Sequence, residues 1–533
     1  MVTKRVVLLS VMAIAGTLAG SVFVTAQQGG GGNRAAITAA AQALGGLDRI
    51  RAVKNIKLEG FGQYAYQFGG GNITGHPNAP MKFQAANDLR RTYDLANGRF
   101  LIQERRNFLF PFAAVGGHNF AEVNQYLDGD LAFNMTEKGP QRILRNDPQI
   151  LQHDGVHMRR MWMLNNPVAL VRTALDPATT VSAPRKDGTL TVFDLQLKEG
   201  DKLSMAIAPV TNLPEWVRWT NPHNDLGQVT YTTYFTGYVP YGGLVLPLGY
   251  RTLIDWRNVE YFKIYVDNYT VDGQIPDLAA PQAVRSAPEP QPQDIKVQAT
   301  QVAKGIWRLT PGGTNVFEFA DHLTLYELGG GIRNAEAIIA FARTLVPGKP
   351  VTQVITSHHH FDHTAGLRQG IAEGLTVIAR RGNEGIFREM AAHPSPDYPD
   401  LQEKNKRPLK FMPVDEHLKL SDSQMTVDIY WDRANLHMAD AVFAYVPAAK
   451  VLVEGDMATA ALDYQFWGDN YLDNLEYYKL EVETLSPVHM QIMKHPDVIE
   501  MVRGGVQRAR ERCAAELAKG NYFAGCPIQS KRF

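Results

Sequence analysis

The spacing of apolar residues changes character several times along the chain, and each change marks a different kind of element. Behind the basic pair Lys4 and Arg5, a largely apolar stretch of about 14 residues runs from Val6 to Ala19 and gives way to the small residues Val24, Thr25 and Ala26. That order reads as an export signal over 1–26, cleaved near Ala26. A retained anchor is the competing reading, although the stretch falls short of the roughly 20 residues that cross a bilayer. After a Gly-rich spacer, an Ala-rich helical pattern covers 34–44 and stops at Gly45 and Gly46. The period then drops to two. Ile56, Leu58, Tyr64, Tyr66 and Phe68 alternate with polar or small residues, and Asn97-Gly98 between 90–95 and 100–104 is a tight hairpin signal. Further strand patterns cover 190–197, 228–235, 246–256 and 259–266. One helix interrupts them, with Asn166 as cap, Pro167 in the first turn and Asp176-Pro177 as the stop. Residues 34–275 thus predict an antiparallel, aromatic-rich β domain.

Pro281, Pro288 and Pro290, with Ala279 and Ala280 beside them, give 276–294 the character of a linker. Beyond it, strands at 305–309, 315–320, 323–328 and 351–356 alternate with helices over 334–345 and after His363, the alternation of an α/β layer structure. A second domain with a C-terminal helix and tail is therefore expected over 295–533. The order of elements in the first domain, with the run Gly242-Gly243-Leu244-Val245-Leu246-Pro247, resembles the half-barrel domains of periplasmic lipoprotein carriers. That resemblance implies a carrier of lipid-like ligands, against the plainer reading of a packing or substrate-covering domain.

A chain of 533 residues is too long for one ordinary core, in keeping with this division. Its 54 Lys and Arg balance 54 Asp and Glu, and no basic run tracks a phosphate backbone, so no nucleic acid partner is expected. No cysteine follows the signal to carry a lipid, because the only two are Cys513 and Cys526. In an oxidising compartment they could close a short loop across the end of a helix, with two free thiols as the alternative. The expected protein is periplasmic or secreted, with no stable membrane insertion; its oligomeric state cannot be read from the chain.

The stretch that carries chemistry is Thr356-Ser357-His358-His359-His360-Phe361-Asp362-His363-Thr364-Ala365-Gly366, which follows a β-branched strand and opens a helix. Alternate residues of an extended segment face one side, so His358 and His360 can share one metal ion while Asp362 turns toward a neighbouring ion and His363 follows it. Neutral imidazoles and a carboxylate are the donors that zinc accepts, and two ions about 3.5–4 Å apart can share a hydroxide. An exposed metal-sequestering His tract would need neither the Asp nor the strand-to-helix setting.

This motif, His-x-His-x-Asp-His after a strand, resembles that of the metallo-β-lactamase superfamily, and the likeness runs over roughly 295–490. It implies an αββα sandwich and a two-metal hydrolase acting on a small-molecule substrate through a metal-bound hydroxide that Asp362 orients. Zinc is the implied ion, with iron or manganese acceptable to the same donors. The remaining ligands follow by the family's order. His437 precedes a hydrophobic hairpin and Pro447; Asp456 ends the strand Val451-Leu452-Val453-Glu454-Gly455-Asp456; His489 lies in Ser486-Pro487-Val488-His489-Met490. Met490 stands where the family prefers Gly, and His495 is a rival for the last ligand. Glu327 occupies the place of a supporting Asp, either orienting a ligand or serving as an ordinary strand residue. His393 and His417, in Pro- and charge-rich sequence, are expected at the surface or in substrate loops. Asp456, where dizinc β-lactamases commonly carry Cys or no bridge, implies an ester, lactone or thioester substrate rather than a β-lactam. A mononuclear iron oxygenase of the same fold is the alternative.

Overall fold

A computed structural model describes residues 34–65, 74–79, 82–108, 121–143, 155–292, 294–435, 437–458 and 469–520. The expected signal, Tyr66, Phe68 and Cys526 lie outside these residues.

The first domain is built on one antiparallel meander of 14 strands. Its centre is the pairing of the first strand, Asn55–Ala65, with the last, Glu260–Val271, in a register that sets Ile56 opposite Val271 and Tyr64 opposite Phe262. On one side follow Phe83–Asp94, Arg99–Phe108, Ala121–Asp128, Leu131–Thr136 and Gly139–Arg142. On the other follow Leu244–Ile254, Gly227–Tyr241, Pro214–His223, Lys202–Ile207 and Leu190–Gln196. The hairpin expected at Asn97-Gly98 joins two of these strands, with Gly98 at φ 65°.

Helices Ala35–Ala43, Leu47–Ala52, Val156–Leu164 and Pro167–Leu175 share the core of this sheet. The last starts as the sequence predicts: Asn166 Oδ1 accepts from the N–H groups of Val168 and Ala169 at 3.0 and 3.2 Å, and Pro167 needs no partner for its nitrogen. Between helix and sheet, Trp162, Trp219, Tyr231, Tyr261 and Phe262 interlock edge-to-face and stacked. Beside them Glu104 accepts from Arg91 and Arg106, each at 2.5 Å, and from Tyr64 Oη at 3.2 Å. The void among Tyr64, Arg91, Trp162 and Phe262 has a volume of about 20 Å³, room for one water and not for a lipid chain.

The segment after the meander is not a bare tether. Its helix Gln282–Ser286 seats Val284, with Ala280, against Phe133, and Arg285 reaches Asp128 at 2.7 Å.

The second domain is a two-sheet sandwich. A seven-stranded sheet begins with the antiparallel strands Gln298–Ala303, Ile306–Thr310, Asn315–Glu318 and Leu323–Tyr326 and continues in parallel through Val351–Ile355, Thr376–Arg380 and Lys410–Val414. A six-stranded sheet takes in His417–Ser421, Thr426–Trp431, Val442–Val446, Val451–Glu454, Thr484–Pro487 and Met493–Lys494. Phe317, Tyr326, Ile355, Ile378, Val427, Ile429, Val442 and Val453 fill the space between them. Helix Ile332–Leu345 covers the outer face of the first sheet, and Asp469–Tyr478 and His495–Ala518 cover the second, which completes an αββα stack.

The domains share an extensive seam. Leu226, in the turn between Pro214–His223 and Gly227–Tyr241, is fully buried in an apolar cluster continuous with Met390 of the sandwich. Arg257 binds Glu389 through two hydrogen bonds of 2.6 and 2.9 Å, and Trp256 Nε1 donates to the same carboxylate. Closer to the motif, Asp225 Oδ1 accepts from Thr364 Oγ1 at 2.8 Å, and Thr74 Oγ1 donates to Asp440 at 3.0 Å.

Candidate metal centre

Strand Val351–Ile355 ends at the rim of the sandwich, and the chain bends at His359 before His360, itself extended, precedes the short helix Phe361–Thr364. The change from extended to helical backbone between His360 and Phe361 splits the motif into two donor groups. His358 and His360 meet His437 and Asp456; Asp362 and His363 meet His489 and the same Asp456. All seven residues singled out from the sequence lie in these two clusters.

In the first cluster His360 Nδ1 lies 3.0 Å from both His358 Nε2 and His437 Nε2, and Asp456 Oδ2 lies 2.9 Å from His437 Nε2. In the second, His489 Nε2 is 3.1 Å from His363 Nε2, 3.2 Å from Asp362 Oδ2 and 3.3 Å from Asp456 Oδ1. A ring nitrogen offers one in-plane proton or lone pair, so His360 Nδ1 cannot make full hydrogen bonds to both imidazole nitrogens that lie 3.0 Å from it. The donors have the spacing of a coordination shell: tetrahedral bonds of roughly 2.0–2.1 Å put neighbouring donors about 3.3 Å apart. The residues therefore fit two divalent ions, one per cluster, with Asp456 common to both.

The clusters differ in exposure. His358, His360, His363 and His437 are buried, whereas 38% of Asp362 and 31% of His489 remain open to solvent. Burial and the neighbouring imidazoles of His363 and His360 hold His358 well below the ordinary histidine range, in the neutral form a metal requires. Burial alone would also lower His363, but Asp362, Asp456 and Glu327 hold it well above its usual value. Burial raises Asp456, and the surrounding His363 and His437 outweigh it to keep this carboxylate ionised.

Several buried groups that the sequence did not single out hold these ligands. Asn435 Oδ1 accepts from the N–H groups of His437 and Met438 at 2.7 and 3.2 Å, and its Nδ2 donates to Asp432, which also accepts from Asn474 of helix Asp469–Tyr478. An Asn two residues before a candidate ligand is an Asx-turn signal and would have found this one. Glu454 accepts from the N–H of Met457 at 2.6 Å and so folds the turn that carries Asp456. In the same turn, a side-chain carbon on Gly455 would fall 2.4 Å from Ser357 Oγ, so glycine alone lets the two ligand loops meet. Glu327, which the sequence did offer as a supporting carboxylate, lies inside the site: Oε1 accepts from Ser357 N–H at 2.7 Å, and Oε2 is 3.5 Å from His363 Nδ1. Met490 departs from glycine because its side chain is buried in the apolar layer with Tyr471 and Val498.

Of the histidines weighed from the sequence, His393, His417 and His495 lie outside both clusters. His393 sits at the domain seam with Nδ1 3.2 Å from Leu226 O; His417 pairs with Asp428 at 2.7 Å; His495 contacts Tyr471 Oη at 3.1 Å at the head of the last helix.

Residues 309–489 match the family model of the metallo-beta-lactamase superfamily. With its αββα layers and two clusters of histidine and aspartate donors, this domain is a metal-dependent hydrolase domain of that superfamily. Solved structures similar to the chain include a metallo-beta-lactamase from Pontibacter korlensis, at 16% identity over 39% of this chain and 99% of that one, with a TM-score of 0.31. The mono-zinc metallo-beta-lactamase FIM-1 from Pseudomonas aeruginosa is similar at 15% identity over 40% and 97%, with a TM-score of 0.32. The sec-alkylsulfatase Pisa1 from a Pseudomonas species shares 16% identity over 42% of this chain and 44% of its own, with a TM-score of 0.31. No curated protein matches the chain.

Proposed function

We propose that the protein is an exported hydrolase that holds two divalent ions, zinc before iron or manganese, and cleaves an ester, lactone or thioester in a small-molecule substrate. The observation that carries this reading is Asp456, whose carboxylate meets both clusters: Oδ2 lies 2.9 Å from His437 Nε2 and 3.3 Å from His363 Nε2, and Oδ1 lies 3.3 Å from His489 Nε2. A carboxylate there could hold both ions and would donate less charge than a thiolate, which would favour attack on an ester, lactone or thioester carbonyl. When bound, such ions polarise a scissile carbonyl and lower the pKa of water toward neutrality.

The chain's own part is positioning and proton handling. Asp362 turns Oδ2 toward the second cluster, 3.2 Å from His489 Nε2, and its half-exposed carboxylate has a second oxygen with which to orient an attacking water. Glu327, wholly buried, fixes the loop of His358 through Ser357. The first domain serves as a packing and covering element rather than a lipid carrier, since helices and aromatic rings fill the core of its sheet. Export rests on the N-terminal sequence pattern alone.

One preparation decides the reading. Metal analysis after expression with zinc and iron both supplied should give two zinc ions per chain, and kcat/KM should be higher for a thioester, a lactone or a simple ester than for a cephalosporin. A single iron with oxygen consumption, or a cephalosporin value above the other three, would sink it. N-terminal sequencing of the exported protein should begin near Gln27.

A further inference from the structure

Of the seven donors, His489 has the least secure seat. Its strand, Thr484–Pro487, pairs with Val451–Glu454 only as far as the register Glu454 to Pro487, so the ligand itself lies beyond the ladder. Three carbonyls flank it, those of Pro487, Val488 and Met490. One side chain takes all three. Arg308, on strand Ile306–Thr310 of the other sheet, donates from Nε to Pro487 O at 2.9 Å and from one terminal nitrogen to Val488 O at 3.1 Å and Met490 O at 2.6 Å. The fork thus straddles His489 from both sides.

Two features set this arginine apart from one that merely solubilises a strand. Among the described residues no ion pair includes it, and burial is the sole influence on its ionisation, lowering it. A half-buried guanidinium held only by carbonyls gives up hydration without a counter-charge, which a stability role alone would not favour. The surrounding hairpin is shaped around the same loop. A side-chain carbon on Gly313 would fall 2.1 Å from Val488 O, and Asn315 accepts from Ser486 Oγ at 2.6 Å. The first cluster has no comparable dependence on Arg308, because His358 and His437 are held by Ser357 and Asn435.

We propose that Arg308 is the positioning residue of the second metal site: its fork fixes the backbone around His489 and thereby sets the affinity of the second ion without altering the first. This rests on the reading that each cluster holds one ion. Outer supports of metal ligands typically change affinity about 10–100-fold, and that is the range expected here.

The test uses the full chain and zinc or cobalt alone. Competition against a chromophoric chelator gives the two dissociation constants, and the cobalt form gives a separate absorption signature for each site. Arg308→Ala should weaken the second ion by about 10–100-fold and leave the first within twofold. Millimolar guanidinium should restore the second-site cobalt spectrum of Arg308→Ala, while Arg308→Lys should not match wild type, since an ammonium cannot span three carbonyls in fork geometry. Arg308→Lys also covers the case in which the alanine variant fails to fold. Wild-type protein that binds two ions, with variants that bind both equally well or lose both in parallel, overturns the role of Arg308 alone. Wild-type protein that binds fewer than two ions overturns the two-ion reading and this proposal with it.

Discussion

A carboxylate is buried among nitrogen-bearing side chains in each domain, Glu104 in the meander and Asp456 in the sandwich, and the two sites resolve the same electrostatic problem in opposite ways. In the meander, Glu104 lies between the guanidinium groups of Arg91 and Arg106, permanent cations supplied by the chain. In the sandwich, Asp456 lies among His363, His437 and His489, bases whose charge depends on protons or on a metal. Burial raises a carboxyl in either place; the two arginines still bring Glu104 down to about 2, and the imidazoles bring Asp456 below its usual range. The difference teaches where to look for function. A buried acid that carries its own counter-ions is part of the architecture, whereas one surrounded by neutralisable bases invites ions from outside.

Four outcomes would sharpen or break that contrast. The largest belongs to Asp456→Ala, which should strip both ions and lower kcat/KM by well over the ~100-fold reached when outer supports are lost. Retention of two ions by that variant, measured by elemental analysis, would remove Asp456 from its shared role. Glu104→Gln should do the reverse: full metal content, but a stability loss of about 3–5 kcal/mol in denaturant unfolding, because two buried guanidinium groups lose their partner. Acid titration should then separate the sites. With its folded value at about 2 against an ordinary 4.5, Glu104 contributes stability above pH 4.5 that disappears as pH falls through about 2. That contribution is on the order of 3 kcal/mol and should be missing from the pH-stability profile of Glu104→Gln. The smallest effect is expected at the seam: Asp225→Ala removes the hydrogen bond from Thr364 and should cost about 1 kcal/mol. Asp225→Asn, which keeps an acceptor, should cost less; equal unfolding midpoints for wild type and both variants would show that Asp225 does not brace the motif.

The first candidate ligands were legible because their spacing is local. Four lie within His358 to His363, and the break from strand to helix that sorts them into two clusters is itself written in that stretch. His437, Asp456 and His489 were found through the family's order of strands, and Glu327 was visible only as an alternative. Arg308 was not legible at all. An arginine on a short strand reads as solvent-facing, and its partners lie 179–182 residues away. The same limit hid helix Val156–Leu164, whose adjacent Arg159 and Arg160 suggest an exposed segment. Both are buried, and Arg159 donates to the carbonyls of Tyr126 and Phe133 at 2.8 Å. Strand Pro214–His223 was obscured by its prolines, although Trp216 and Trp219 on it are buried.

The pairing of Asn55–Ala65 with Glu260–Val271 also dictates an order of events during synthesis. A ribosome releases the opening strand long before its neighbour, so the early half of the meander keeps one bare row of N–H and C=O groups while about two hundred more residues emerge, a template for wrong partners. Closure must wait for the late strand, and sandwich contacts such as Arg257 with Glu389 must wait longer still. A chain that must close one strand pair across about two hundred residues folds slowly and gains from being held open until it is whole. Passage through a membrane in extended form, as the N-terminal pattern suggests, would impose that delay without any separate device.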